Sequence, residues 1–192
     1  MLRIISGRYK GRKLREPPAD GVRPTIERIR EAVFNSLTHG LITEGGAGFD
    51  GLNVADVFAG SGAMGFEALS RGAEHVIFLD TNAAALRSID KNAEQLEADT
   101  SVTVQYRDAV NPGPAPHRCD LVFFDAPYRS GLNADALEAM SKDGWFADGA
   151  IIVCELGGTE DLDTPDGFEV LNTRRYRSTK IIYLQYRVGA RD

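Results

Sequence analysis

The stretch "LNVADVFAGSGAMGFEALSRG", Leu52 to Gly72, decides the fold. It opens with a short apolar run, passes three glycines spaced Gly60-x-Gly62-x-x-Gly65, and continues with helix-forming residues. Residues 52–58 read as a strand and 62–72 as a helix, so the glycines sit where one becomes the other. Glycine there permits a tight turn and lets a ligand approach the backbone closely.

Outward from this unit the pattern repeats. "HVIFLD" (75–80), "VTVQYRDA" (102–109), "DLVFFD" (120–125) and "AIIVCE" (150–155) read as strands. "NAAALRSIDKNAEQLEA" (82–98) and a segment near 132–143 read as helices. Two last β-rich runs, "FEVLNTRRY" (168–176) and "TKIIYLQYRV" (179–188), suggest an antiparallel pair. On the N-terminal side, "TIERIREAVFNSLT" (25–38) places Ile26, Ile29, Val33, Phe34 and Leu37 on one helical face. Before it, "RIISGRYKGRKL" (3–14), punctuated by Gly7 and Gly11, reads as a small β-hairpin or extended arm, and "EPPADGVRP" as a linker. Short apolar strands alternating with helices define an α/β fold whose mostly parallel sheet is covered on both faces. The division expected is a basic N-terminal arm, 1–22, and one domain, 23–192.

The bulk numbers bound the function. A chain of 192 residues, 43% of them hydrophobic, suits one domain with a real core. No apolar run approaches a membrane span, and the basic N-terminus lacks the apolar stretch of a signal peptide. Cys119 and Cys154 read as buried thiols of a reducing compartment, so a cytoplasmic protein is expected. The histidines His39, His75 and His117 show no metal-ligand spacing, and no metal is expected. The net charge of −6 hides a division. Residues 1–30 carry nine basic and three acidic residues, and residues 174–192 carry six and one. An acidic body with two basic ends suggests a polyanion partner such as nucleic acid, although charge runs also serve merely as solvated surface.

The glycine loop by itself fits a dinucleotide site, and Asp80 lies 20 residues after Gly60, where a ribose-binding acid belongs. Asp56 tips the balance. It lies inside the strand, four residues before Gly60, where its carboxylate would repel a pyrophosphate at the helix N-terminus. A ligand with a cationic amino-acid end and no phosphate would welcome it; S-adenosylmethionine is such a ligand. The Asp-x-Phe-x-Gly-x-Gly pattern, Asp56 to Gly62, resembles the first motif of S-adenosylmethionine-dependent methyltransferases. Phe58, Gly60, Ser61 and Gly62 then belong to the donor loop. Asp80 suits the ribose hydroxyls, or else acts as a helix N-terminal acid. Asp108 sits where related enzymes contact the adenine amino group, or else is a turn residue.

"DLVFFDAPY", Asp120 to Tyr128, would be the fourth strand, beside the first at the point where strand order reverses, and ligands bind outside the carboxyl ends of strands there. An exocyclic amine of a base is a poor nucleophile because its lone pair is delocalised into the ring. Two acceptors on its N–H groups favour the pyramidal geometry of attack. The Asp125 carboxylate and a backbone carbonyl supply them, Pro127 stiffens the turn, and Tyr128 offers a face to an extruded base.

Four pieces, "RIISGRYKGRKL", "RPTIERIREAVFN", "DVFAGSGAMGFEALSRGA" and "DLVFFDAPY", resemble in order the RsmD-type methyltransferases, which act on the N2 amine of a guanine in small-subunit (16S) ribosomal RNA. The resemblance covers nearly the whole chain. It departs at Ala126, where the family has the first proline of Asp-Pro-Pro-Tyr/Phe. It implies a Rossmann-like class I methyltransferase fold with a seven-stranded sheet and a small N-terminal hairpin. It implies Asp125, Ala126 (through its carbonyl), Pro127 and Tyr128 at the target amine. Asp56, Gly60, Gly62, Asp80 and Asp108 would line the methyl donor. Arg8, Lys10, Arg12 and Lys13 would meet RNA, with Arg23 and Thr25 near the mouth; Arg28 and Arg30 read equally well as surface partners of Glu27 and Glu31. The partner implied is small-subunit RNA, free or within the assembled 30S subunit, and a monomer is expected. The rival readings are a DNA adenine-N6 methyltransferase and a non-catalytic nucleic-acid-binding protein that keeps the fold.

Overall fold

A computed structural model describes residues 2–17, 27–42 and 48–189. Seven strands form one sheet: β1 (Asn53–Val57), β2 (His75–Asp80), β3 (Val102–Tyr106), β4 (Cys119–Phe124), β5 (Phe146–Gly157), β6 (Phe168–Tyr176) and β7 (Thr179–Tyr186). The helices are α1 (Glu27–Ser36), α2 (Ala63–Ser70), α3 (Ala83–Leu96) and α4 (Leu132–Lys142). The strand order is β3-β2-β1-β4-β5-β7-β6. β1 to β5 run parallel, and β7 enters antiparallel between β5 and β6. This is the Rossmann-like class I methyltransferase arrangement. The order reverses at β1, which pairs with both β2 and β4, so the carboxyl ends of β1 and β4 open a crevice.

The central strands are buried on both faces, as their continuous apolar runs require. Alternation divides them between two cores. Val54, Phe78 and Phe123 pack with Phe34 of α1 and Phe66 of α2, while Val57, Phe124 and Ile152 pack with Leu137 and Met140 of α4 and with Trp145. Gly65 shows why the third glycine is needed. A Cβ there would stand 2.3 Å from Cε1 of Phe78 and 2.8 Å from Cγ1 of Val76. Its absence lets α2 lie directly on β2.

Several differences from the sequence reading have physical causes. β5 extends well beyond residues 150–155, because Phe146 pairs with Cys119 before the register shifts and Gly149, at φ +80°, bends the strand. α1 does not run to Thr38 as a regular helix; it widens into a π-helical turn at Leu37–Leu41. There the Ser36, Thr38 and His39 side chains bond carbonyls four residues back. His75 and His117, distant in sequence, meet edge to face at 5.4 Å. Cys119 and Cys154 are buried, free thiols. Among the described residues no helix is long and apolar enough to cross a membrane.

The N-terminal segment is a hairpin, closed by the Arg3–Lys13 bridge, and it is docked onto the domain. Leu2, Ile4 and Leu14 enter the core beside α1. Glu67 of α2, itself fully buried, accepts the Ile5 and Ser6 backbone N–H groups at 2.7 and 3.0 Å. Ser70 receives Arg8 N–H on its carbonyl and Tyr9 N–H on its hydroxyl. Asn92 of α3 exchanges two bonds with the Arg15 backbone. Arg30 corrects the sequence reading: it is fully buried, not a surface partner of Glu27 or Glu31. Its Nη2 donates to the Arg3 carbonyl at 2.6 Å, and its Nε lies 4.0 Å from Glu67. The boundary expected between residues 22 and 23 lies outside the described residues, as do Arg23, Thr25 and Ile26.

Candidate active site

The crevice at the carboxyl ends of the strands holds a cavity of about 630 Å³. Its lining includes Asp56, Phe58, Gly60, Ser61, Asp80, Asp108, Asp125, Ala126, Pro127 and Tyr128. Gly62 stands behind the loop, at φ +72°, with α3 and β2 side chains against its missing Cβ position.

The glycine loop is held by the two acids that flank it. Asp80, at the end of β2, accepts Gly60 N–H on one oxygen at 2.8 Å and Asn82 N–H on the other at 2.7 Å. The cap of α3 is Asn82, not Asp80: the Asn82 side chain accepts from the N–H groups of Ala84 and Ala85. Asp80 therefore serves the loop. Phe58 adopts φ +58°, a left-handed backbone rare for a bulky residue, and such outliers gather at ligand sites. Asp56 is almost wholly buried, with Oδ2 accepting Gly65 N–H at 2.8 Å. Burial pushes its carboxyl up to about 8, the Gly65 N–H opposes that rise, and the nearby Asp80 charge adds to it. At neutral pH such a group holds its proton until a cation draws it off. Asp108 accepts Val110 N–H on its side chain and so shapes the loop after β3. Arg107 braces the same loop by donating to the Pro112 and Pro114 carbonyls.

The Asp125–Tyr128 turn follows β4, and Asp125 N–H extends the ladder to the Val57 carbonyl at 3.3 Å. Ala126 is buried and Pro127 exposed. The Tyr128 phenol donates to Glu155 at 2.8 Å and lies 3.2 Å from the Thr179 hydroxyl. Burial and the Glu155 carboxylate push that phenol up to about 12, so it keeps its proton. Glu155 and Thr179 line the cavity and were not read from the sequence. Glu155 carried a signal: like Asp80, it is an acid near the carboxyl end of a parallel strand. Thr179 carried none, because only the antiparallel entry of β7 brings it beside β5.

The basic arm lies elsewhere. Its turn bonds Ser70, the last residue of α2, whereas the cavity takes Ala63, the first. Arg12 and Lys13 meet Gln95 near the far end of α3. Arg8, Lys10, Arg12 and Lys13 are exposed, and their hairpin is bonded to the C-terminal ends of α2 and α3, whereas the N-terminal ends of those helices line the cavity.

Comparison with known proteins is consistent with this arrangement. Residues 2–185 match the family described as Conserved hypothetical protein 95. The chain is 35% identical over 156 residues to Ribosomal RNA small subunit methyltransferase D of Escherichia coli strain K12, covering 80% of this chain and 74% of the relative. It is 31% identical over 182 residues to the protein of that name from Haemophilus influenzae, covering 90% and 88%. The solved yhhF structure from Escherichia coli superposes with a TM-score of 0.84 at 30% identity, covering 98% and 99%. A topology of this order, a glycine loop held by Asp56 and Asp80, and relatives at this identity together place the chain in the RsmD family of methyltransferases.

Proposed function

We propose that this methyltransferase uses S-adenosylmethionine to methylate the exocyclic N2 amine of a guanine in small-subunit ribosomal RNA, free or within the 30S subunit. The observation that carries the reading is the juxtaposition in one cavity of the Asp56–Asp80 glycine loop and the Asp125–Tyr128 turn. Relatives named for small-subunit ribosomal RNA methylation support the substrate class.

The lining fits the donor. A cavity of about 630 Å³ has the size of a small-molecule site. Asp56, a buried acid whose proton a nearby cation would draw off, suits a cationic end, and among the described residues Arg107 is the sole cation of the lining, which disfavours a dinucleotide. Asp56 would face the ammonium group, Asp80 the ribose hydroxyls, and Asp108 the adenine amine. Bound there, S-adenosylmethionine supplies an activated methyl on its sulfonium. The chain's own contribution is positioning and acceptor electrostatics. The Asp125 carboxylate and the Ala126 carbonyl accept the N–H groups of the target amine and turn its lone pair toward the methyl. Tyr128, its hydroxyl tethered to Glu155, holds a ring face for the extruded base.

Labelled methyl transfer to RNA, DNA or neither tests the reading. Transfer to small-subunit RNA is expected. Transfer to duplex DNA adenine would replace it with the DNA enzyme, and no transfer despite donor binding would favour a non-catalytic binding protein.

A further inference from the structure

The arm is bonded to the C-terminal ends of α2 and α3, while the cavity opens at their N-terminal ends, which leaves the surface at the cavity mouth to be assigned. β5 ends at the cavity, and β7 begins there, because Thr179 pairs with Gly157. β6 ends beside it, because Tyr176 pairs with Thr179. The two-residue turn Arg177–Ser178 therefore lies on the rim, and Gly158 N–H bonds the Ser178 carbonyl. Cross-strand partners share a face of the sheet. Glu155 pairs with Ile181, and Ile181 with Arg174, so Arg174 projects from the face that Glu155 gives to the cavity. Two strand spacings separate them, about 10 Å.

The backbone adds an independent observation. Arg177 occupies the first central position of this hairpin turn at φ +43°. Glycine is the residue favoured where such a turn needs a positive φ. An arginine there accepts backbone strain and places a guanidinium on the rim. Arg129, directly after Tyr128, shows the same feature at φ +60°, and its N–H bonds Glu160 of the intervening loop. Arg174 and Arg177 are exposed, and among the described residues no hydrogen bond takes up either guanidinium. Arg175, by contrast, donates to the Gly158 carbonyl, and Lys180 is buried against Asp161.

We infer that the β6–β7 tip is the docking rim for the single-stranded RNA flanking the target guanine, with Arg174 and Arg177 on its phosphates. The inference rests on the cavity being a base pocket. It assigns the C-terminal basic cluster, which the arm does not explain, to substrate capture at the mouth. Arginine suits the task because its planar fork matches phosphate oxygens.

The test uses the full chain, with Arg177→Gly and the double variant Arg174→Gln/Arg177→Gly, on unmodified small-subunit RNA. The expected result is a KM for RNA raised roughly tenfold in the double variant, and a salt dependence flatter by about 0.7 per lost contact. S-adenosylmethionine affinity should be unchanged, and the Tm of Arg177→Gly equal to or above native, since glycine relieves the turn. Unchanged KM and salt slope would overturn the rim while leaving the cavity reading intact. A lowered Tm for Arg177→Gly would make Arg177 a turn residue and overturn its role. A native protein inactive on both free small-subunit RNA and assembled small subunits would overturn both readings.

Discussion

The Tyr128 hydroxyl donates to Oε1 of Glu155 at 2.8 Å, joining the turn after β4 to the end of β5. This bond fixes the ring that the family resemblance assigns to the target base. Tyr128→Phe keeps the ring but frees it. We expect single-turnover transfer to fall about threefold to tenfold, or roughly 1 kcal/mol, the scale of one hydrogen bond. Tyr128→Ala should lose roughly 1–3 kcal/mol more, the worth of base stacking. If the phenylalanine variant transfers at the native rate, the tether does not position the base.

Asp56 makes a pH prediction. Its folded pKa is raised, so the folded protein holds a proton that the unfolded chain releases near pH 4. The stability this contributes is full below about pH 4 and is lost as pH rises through about 8. Asp56→Asn has no such proton. Its Tm should overtake that of the native protein as pH rises from 5 to 9. Native donor binding at pH 7 should release a proton, seen by calorimetry in buffers of different ionisation enthalpy, and Asp56→Asn should release fewer. Equal proton release in both proteins would place the ammonium elsewhere.

Glu67 ties the hairpin to α2 through Ile5 and Ser6, and it balances Arg30 and Arg71. Glu67→Ala leaves Arg30 buried without its countercharge, which typically costs about 3–5 kcal/mol. Chemical denaturation should show that loss, and hydrogen exchange at Ile5 and Ser6 should quicken. A loss below about 1 kcal/mol would mean that Leu2, Ile4 and Leu14, with the Ser70 and Asn92 bonds, dock the hairpin without Glu67.

Ala126 departs from the family, yet it keeps its carbonyl and precedes Pro127, which drives it toward extended backbone. Ala126→Pro should therefore change single-turnover transfer by less than about tenfold, or roughly 1.4 kcal/mol of barrier. An inactive native protein rescued by Ala126→Pro would show that the first proline of the turn is essential.

The elements readable in the sequence were those whose cause is local. The apolar strands, the Asn82-led helix and the glycine turn carry their own signals, and the resemblance extended them to the right strand order. What escaped depends on tertiary approach. Arg30 looked like a surface residue of an amphipathic helix, because the Arg3 carbonyl that receives it comes from the docked hairpin. Thr179 and the Arg174–Arg177 rim became site features only once β7 entered antiparallel beside β5. The arm read correctly as basic, but its distance from the cavity follows from Ser70 and Gln95, at the far ends of their helices.

The central claim, amine methylation of small-subunit RNA at the Asp125 turn, has one direct measurement: labelled methyl transfer from S-adenosylmethionine to unmodified small subunits, with mapping of the product nucleoside, for the native protein and Asp125→Ala. N2-methylguanine at a single site is expected with the native protein. Near-complete loss is expected with Asp125→Ala, whose donor affinity and Tm should stay close to native. A label on another base or atom, or a fully active Asp125→Ala protein, would contradict the claim.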